Sequence, residues 1–195
     1  WSGIVRTLAR ARGQRGLETP REARVDQRAV LCGVAPGSQV IAADGSAAAI
    51  VCRAEDAHRY TDNPLYVKAL SFVAGNGSGL LDPSYDYTTF SECEAAAKDA
   101  YAQAGITDPR RELAMAEVHD CFTPTELVLM EDLGFAERGM GWKEVLAGAF
   151  DLDGELPVNP DGGLKSFGHP IGASGLRMLF ECWLQLRGLA GDRQI

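Results

Sequence analysis

Apolar and polar positions along the chain alternate between two periods. In VIAADGSAAAIVCR a turn signal at Asp44-Gly45 precedes the small apolar run 47–52, which predicts a strand buried on both faces. Residues 66–75, YVKALSFVAG, alternate and run into Gly75-Asn76-Gly77, predicting a strand that enters a loop. A third strand is predicted at 112–119, ELAMAEVH. Elsewhere the period lengthens to that of a helix. In TTFSECEAAAKDAYAQAGI, Thr88 or Thr89 is the N-cap candidate, Phe90, Ala97, Tyr101 and Ala104 share a face, and Gly105 is the stop. TPTELVLMEDLGF offers Thr123 as N-cap, Pro124 at the first helical position and Glu126 at the capping-box position, closing at Gly134. A short helix is predicted at 141–150 and a final one over 171–186, with Leu176, Leu179, Phe180, Trp183 and Leu186 as its apolar stripe. Strands alternating with helices of this length give an α/β class with right-handed crossovers and a largely parallel sheet.

Residues 1–39 lack any sustained period. They carry Arg6, Arg10, Arg12, Arg15, Arg21, Arg24 and Arg28, and the first residue is not Met. They read as an unplaced Arg-rich segment: a solvated basic arm, or an N-terminus that is truncated or out of frame. The 195 residues are 46% hydrophobic and 24% charged, enough to bury a core in one domain or one and a half.

A net charge of −8 argues against nucleic acid as a partner. An anionic ligand would need a local positive site, for which Lys68, Lys165 and Arg177 are candidates. No apolar run approaches the ~18 residues of a membrane span, and the opening lacks the order of a signal peptide, so the expected location is the cytoplasm. Five cysteines (Cys32, Cys52, Cys93, Cys121, Cys182) without a C-x-x-C pair suggest neither a disulfide framework nor a zinc knuckle. Cys52 falls in a buried strand pattern, Cys182 in the closing helix, and Cys93, in a first helical turn, has a mild electrostatic case for reactivity. His58 is expected to be exposed.

Two loops could carry chemistry, since reactive groups in open α/β sheets gather where strands lead into helices. EVHDCFTPTE places His119, Asp120 and Cys121 at a helix N-terminus, where unpaired N–H groups favour a thiolate or a developing oxyanion. GGLKSFGHPIGASG mounts His169 between Gly168 and Pro170, with Gly172, Ala173 and Gly175 small enough for another segment or a ligand to approach. A rigidly held imidazole suits proton transfer near neutrality. The second loop lacks the spacing of a P-loop or a dinucleotide fold, and His119, Cys121 and His169 lack the spacing of a known metal motif.

At these residues the sequence resembles the thiolase superfamily, and more narrowly the sterol carrier protein x type thiolases and the bacterial acetyl-CoA acetyltransferases similar to them. The resemblance runs through DGSAAAIVC, EVHDCFTPTELVLMEDLGF, NPDGGLKSFGHPIGASGLRM and CWLQLRGLAGDRQI. It implies a thiolase fold: two similar βαβαβαββ halves layered helix, sheet, helix, sheet, helix, usually dimeric. Residues 40–60 would end the first half, and 61–195 would form the second half without its last strands, so the chain is expected to be partial at both ends.

The implied activity is that of an acyl-CoA thiolase or acetyl-CoA acyltransferase acting on a coenzyme A thioester, with no tightly bound cofactor. His169 would activate a nucleophilic cysteine supplied by the first half. His119 would line the oxyanion hole and Cys121 would move the α-proton, while Phe122, Gly168, Pro170 and Gly172 would line the substrate. One alternative within the fold is a retro-aldolase on a CoA thioester, completed by a small OB-fold partner. Another is a non-catalytic thiolase-like fragment.

Overall fold

The helical periods become helices close to their expected places in the computed structural model, which describes residues 44–195. The Arg-rich segment 1–39 and Cys32 lie outside the described residues. The α-helices are α1 Ser78–Leu81, α2 Ser91–Ala104, α3 Pro109–Glu112, α4 Thr123–Asp132, α5 Gly141–Ala147, α6 Gly163–Phe167 and α7 Ser174–Leu186. Short 3-10 turns occupy Ala54–Arg59 and Gly191–Arg193.

The expected stop of α2 is realised: Gly105 adopts φ 75°, a left-handed conformation that glycine takes without a Cβ penalty. Its start differs from expectation, because neither threonine caps it. Asp132, buried at the end of α4, accepts the Phe90 N–H at 2.7 Å and the Thr89 hydroxyl at 2.9 Å, while the Thr88 hydroxyl donates to Asp86. A charged acceptor from a neighbouring helix thus does the work expected of a local hydroxyl. The expected capping box of α4 is also absent. Phe122 stands at the N-cap without a side-chain bond, and Glu126 is buried, its Oε1 accepting from Asn159 Nδ2 at 2.9 Å.

Helices α4 and α5 surround the core, formed by Val118, Leu129, Met130, Phe135, Ala136, Val145, Phe150, Leu156 and Val158, with Phe90, Cys93 and Leu113 packed on its rim. Burying each large member contributes about 1.5–3 kcal/mol.

The largely parallel sheet is not realised among the described residues. What stands in its place is one parallel bridge, Ala116 to Val158, where Ala116 N–H donates to Pro157 O at 2.9 Å and Asn159 N–H to Ala116 O at 2.8 Å. Of the strand expected over 112–119, Glu112 instead ends α3, the chain bends at Ala114, and Ala116 is the single paired position. The expected strands 47–52 and 66–75 form no ladder, and Ile50 (94% exposed), Phe72 (88%) and Cys52 lie open to solvent. An apolar run predicts a buried strand only where a neighbouring strand covers it, and none runs beside these among the described residues. One backbone pair of 66–75 is nevertheless satisfied: Leu70 N–H donates to Gln103 Oε1 at 3.2 Å, and Gln103 Nε2 donates to Leu70 O at 3.1 Å.

Helix α7 buries its polar side. Ser174, Glu181 and Gln185 are buried, while Leu179, Phe180, Trp183 and Leu186 of the apolar stripe are exposed. For Glu181 and Gln185 the reason is the tail that folds back across the helix. Arg193 Nη2 pairs with Glu181 at 2.9 Å, and Gln185 accepts the Ile195 N–H at 3.0 Å.

Candidate active site

The loop carrying His119 begins where the bridged segment ends. Val118 N–H donates to Asn159 Oδ1 at 2.8 Å, so Asn159, held at φ 50°, ties the segment to Glu126 of α4 through the two ends of one carboxamide. The next contact crosses to the second loop: Asp120 Oδ1 accepts the Leu164 N–H at 2.9 Å at the start of α6. Gly163 makes this approach possible. A Cβ there would lie 2.2 Å from Asp120 Oδ2, and the residue adopts φ 61°.

Helix α6 ends at Gly168 with φ 76° and ψ −179°, backbone that is essentially restricted to glycine, and the chain then presents His169. Pro170 follows, packed so closely on the 44–49 segment that a Cβ on Gly45 would sit 2.7 Å from its Cγ. The Pro170 carbonyl accepts the N–H groups of Ala173 and Ser174 at 2.8 and 3.0 Å, turning the chain into α7. The glycine and proline around His169 thus serve the two fixed ends of a mount.

These contacts bring the two histidines together. The His119 and His169 rings meet edge to face, centroids 5.0 Å apart at 61°. His169 Nδ1 lies 2.8 Å from Ser174 Oγ, which lies 3.1 Å from Pro170 O. Cys121 is half-buried, its thiol 3.9 Å from Thr125 Oγ1. Phe122 is 39% exposed. A Cβ on Gly172 or Gly175 would meet nothing within 4 Å among the described residues, so neither glycine is required by a neighbouring segment there.

Burial and the adjacent His169 hold His119 below the usual imidazole range, with Asp120 pulling the other way. Asp120 is itself pushed up by burial, against the Leu164 N–H. Behind the site, burial pushes Glu117 and Glu126 up to about 8, Arg177 opposing the shift at Glu117. Arg177 pairs with Asp161 and, at 3.2 Å, with Glu117. It is half-buried and engaged by two carboxylates, which disfavours it as the cation for a ligand phosphate; Lys68 is exposed and Lys165 half-buried.

Other thiols depart from expectation. Cys52 is exposed rather than buried, and Cys93 is pushed up by burial and by Asp132 and Glu92, the reverse of an activated thiol. Cys182 is half-buried and shifted the same way, and His58 is exposed as expected. Among the described residues, His119, Cys121 and His169 form no metal-ligating group. Sequence reasoning missed Ser174, Asn159, Asp161 and Glu117. Of these only Ser174 left a signal, a lone hydroxyl five residues beyond the histidine at the opening of a helix.

Comparison with known proteins shows the family to which the chain belongs. Residues 80–195 match the family described as thiolase C-terminal domain-like. The chain is 43% identical over 152 residues to an acetyl-CoA acetyltransferase of Methanothermobacter thermautotrophicus, covering 78% of this chain and 39% of that protein. Human sterol carrier protein 2 is 36% identical over 159 residues, 78% of this chain and 28% of the relative. The chain thus spans less than half the length of these relatives. Among solved structures it resembles a chain titled Ltp2-ChsH2(DUF35) aldolase, with a TM-score of 0.52 and 25% identity, covering 63% of this chain and 32% of that one. By these matches the chain belongs to the thiolase family, in which residues 80–195 form the C-terminal domain-like part.

Proposed function

We propose that this chain contributes the histidine-bearing half of a thiolase-type acyltransferase of the sterol carrier protein x type. Residues 40–60 would close the first half of the fold and 61–195 build the second. The observation that carries the reading is the meeting of His119 and His169, from separate loops, 5.0 Å apart beside the Cys121 loop.

In the proposed reaction His169 takes the proton of a nucleophilic thiol, which the resemblance assigns to the other half of the fold. The thiolate attacks the ketone carbonyl of a 3-oxoacyl-CoA, and the bond between its α and β carbons breaks. The departing acetyl-CoA enolate is held by a donor from His119 and protonated at carbon by Cys121. Free coenzyme A then releases the acyl group from the enzyme thiol. A donor aimed at a developing oxyanion contributes about 3 kcal/mol. The low-titrating His119 suits that role, because a neutral imidazole donates an N–H without carrying a charge to be neutralised. Phe122, Gly168, Pro170 and Gly172 line the acyl path in this reading. No tightly bound cofactor is needed. The reading further places the protein in the cytoplasm, as a homodimer.

A second reading, retro-aldol cleavage of a CoA thioester with a small OB-fold partner, is favoured by the likeness to the aldolase chain. It uses the same enolate stabilisation but forms no acyl-enzyme. Intact mass spectrometry of a protein that holds both halves of the fold, after brief exposure to acetoacetyl-CoA, separates the two. A thiol-labile acetyl adduct that disappears in His169→Ala supports the thiolase. Cleavage of a β-hydroxyacyl-CoA without an adduct supports the aldolase, and turnover of neither thioester identifies a non-catalytic member.

A further inference from the structure

Ser174 has no role in the family resemblance or in the reaction as written above, yet it is the residue in hydrogen-bond contact with the His169 ring. It is buried, 3% exposed, at the first position of α7. Its hydroxyl oxygen stands 2.8 Å from His169 Nδ1 and 3.1 Å from Pro170 O. A hydroxyl has one proton to give and lone pairs to accept with. If Ser174 donated to Nδ1, its oxygen and the Pro170 carbonyl would face each other at 3.1 Å with no proton between them. For the neutral ring both contacts are hydrogen bonds under one assignment alone: His169 Nδ1–H donates to Ser174 Oγ, and Ser174 Oγ–H donates to Pro170 O.

We infer that Ser174 is a positioning residue that fixes His169 in the Nδ1–H tautomer, leaving the Nε2 lone pair as the proton acceptor of the site. The relay is local and rigid. Pro170 supplies the final acceptor, so the backbone that mounts the ring also orients the hydroxyl that reads it. The carboxylate commonly found behind a catalytic imidazole is replaced by a neutral hydroxyl, which orients the ring without placing a negative charge beside it. The inference rests on the proposed function only for its catalytic consequence, since the tautomer is a property of the resting protein.

The test is long-range proton–nitrogen NMR of the 15N-labelled protein under mildly alkaline conditions. The three histidines His58, His119 and His169 are assigned by single replacement with Gln. Expected is a proton-bearing Nδ1 and a proton-free Nε2 on His169, shifting toward the opposite tautomer in Ser174→Ala and restored in Ser174→Thr. A proton-bearing Nε2 in the unmodified protein overturns the inference, as does an unchanged tautomer in Ser174→Ala.

In acyl transfer, Ser174→Ala should lower kcat by on the order of tenfold or more while KM holds. Equal kcat in the two proteins would also overturn it. The expected tautomer in a protein that forms no acyl adduct would uphold Ser174 while defeating the proposed function.

Discussion

Asp120 Oδ1 accepts the Leu164 N–H at 2.9 Å, and this bond joins the loop of His119 to the short helix that delivers His169. The two rings meet because the two backbones are tied one residue away from the first of them. Replacing Asp120 with Ala strands a buried N–H and should cost about 1–3 kcal/mol in urea unfolding. Asp120→Asn keeps an acceptor and should retain most of the stability. Equal losses in the two variants would show that the charge, and not the bond, matters.

Gly168 should not tolerate a side chain. Its φ of 76° with ψ near 180° puts Gly168→Ala in a region costing about 1–3 kcal/mol. Relaxation of that strain would swing His169 away from His119. The expected result is a lower unfolding midpoint together with, where the proposed acyl transfer holds, loss of the acetyl adduct, read by denaturation and mass spectrometry.

His119 should titrate below the ordinary imidazole range, with a midpoint that rises when His169 is replaced by Gln. The sign follows from the causes: burial and the neighbouring imidazole both disfavour its charged form, and the substitution removes the second. Ring-proton NMR across pH measures it directly. A midpoint that stays put in His169→Gln would mean burial acts alone.

Glu126 makes stability depend on pH. Its carboxyl is raised by burial from 4.5 to about 8 in the folded chain, so folding takes up a proton between those values. Its contribution to stability is fully present below about pH 4.5 and is lost as pH rises through about 8. Glu126→Gln keeps an oxygen for Asn159 Nδ2 and cannot ionise. It should therefore gain on the order of 1–3 kcal/mol relative to the parent at pH 9 and about nothing at pH 4.5. Urea unfolding of both proteins at the two pH values decides it.

The site was more legible in the sequence than the sheet was, and the reason is local. Gly168 permits backbone that other residues avoid and Pro170 fixes its own φ, so a histidine between them announces a mount without reference to the rest of the fold. Likewise Gly105 ends α2 because left-handed backbone is a property of the residue itself. Residues 47–52 and 66–75 look like strands for a different reason, namely that something apolar should cover them, and coverage is a property of neighbours.

The polar side of α7 illustrates the same division. Its apolar stripe could be read from spacing. The burial of Glu181 and Gln185 depends on Arg193 and Ile195 folding back, which no periodicity records. Thr123 and Glu126 spelled a capping box, but Asn159, more than thirty residues away, competed successfully for the glutamate.

The paired bonds between Gln103 and Leu70 set the alignment of an otherwise unladdered segment. A carboxamide presents a donor and an acceptor side by side, matching the N–H and C=O of a single extended residue, and extended backbone turns such a pair toward a given side only at every second residue. A slip of one residue would present Gln103 with no pair at all, and a slip of two would offer Lys68 or Phe72 in place of Leu70. One glutamine on α2 therefore acts as a register pin, permitting the 66–75 segment to sit in steps of two and selecting which of its faces looks outward.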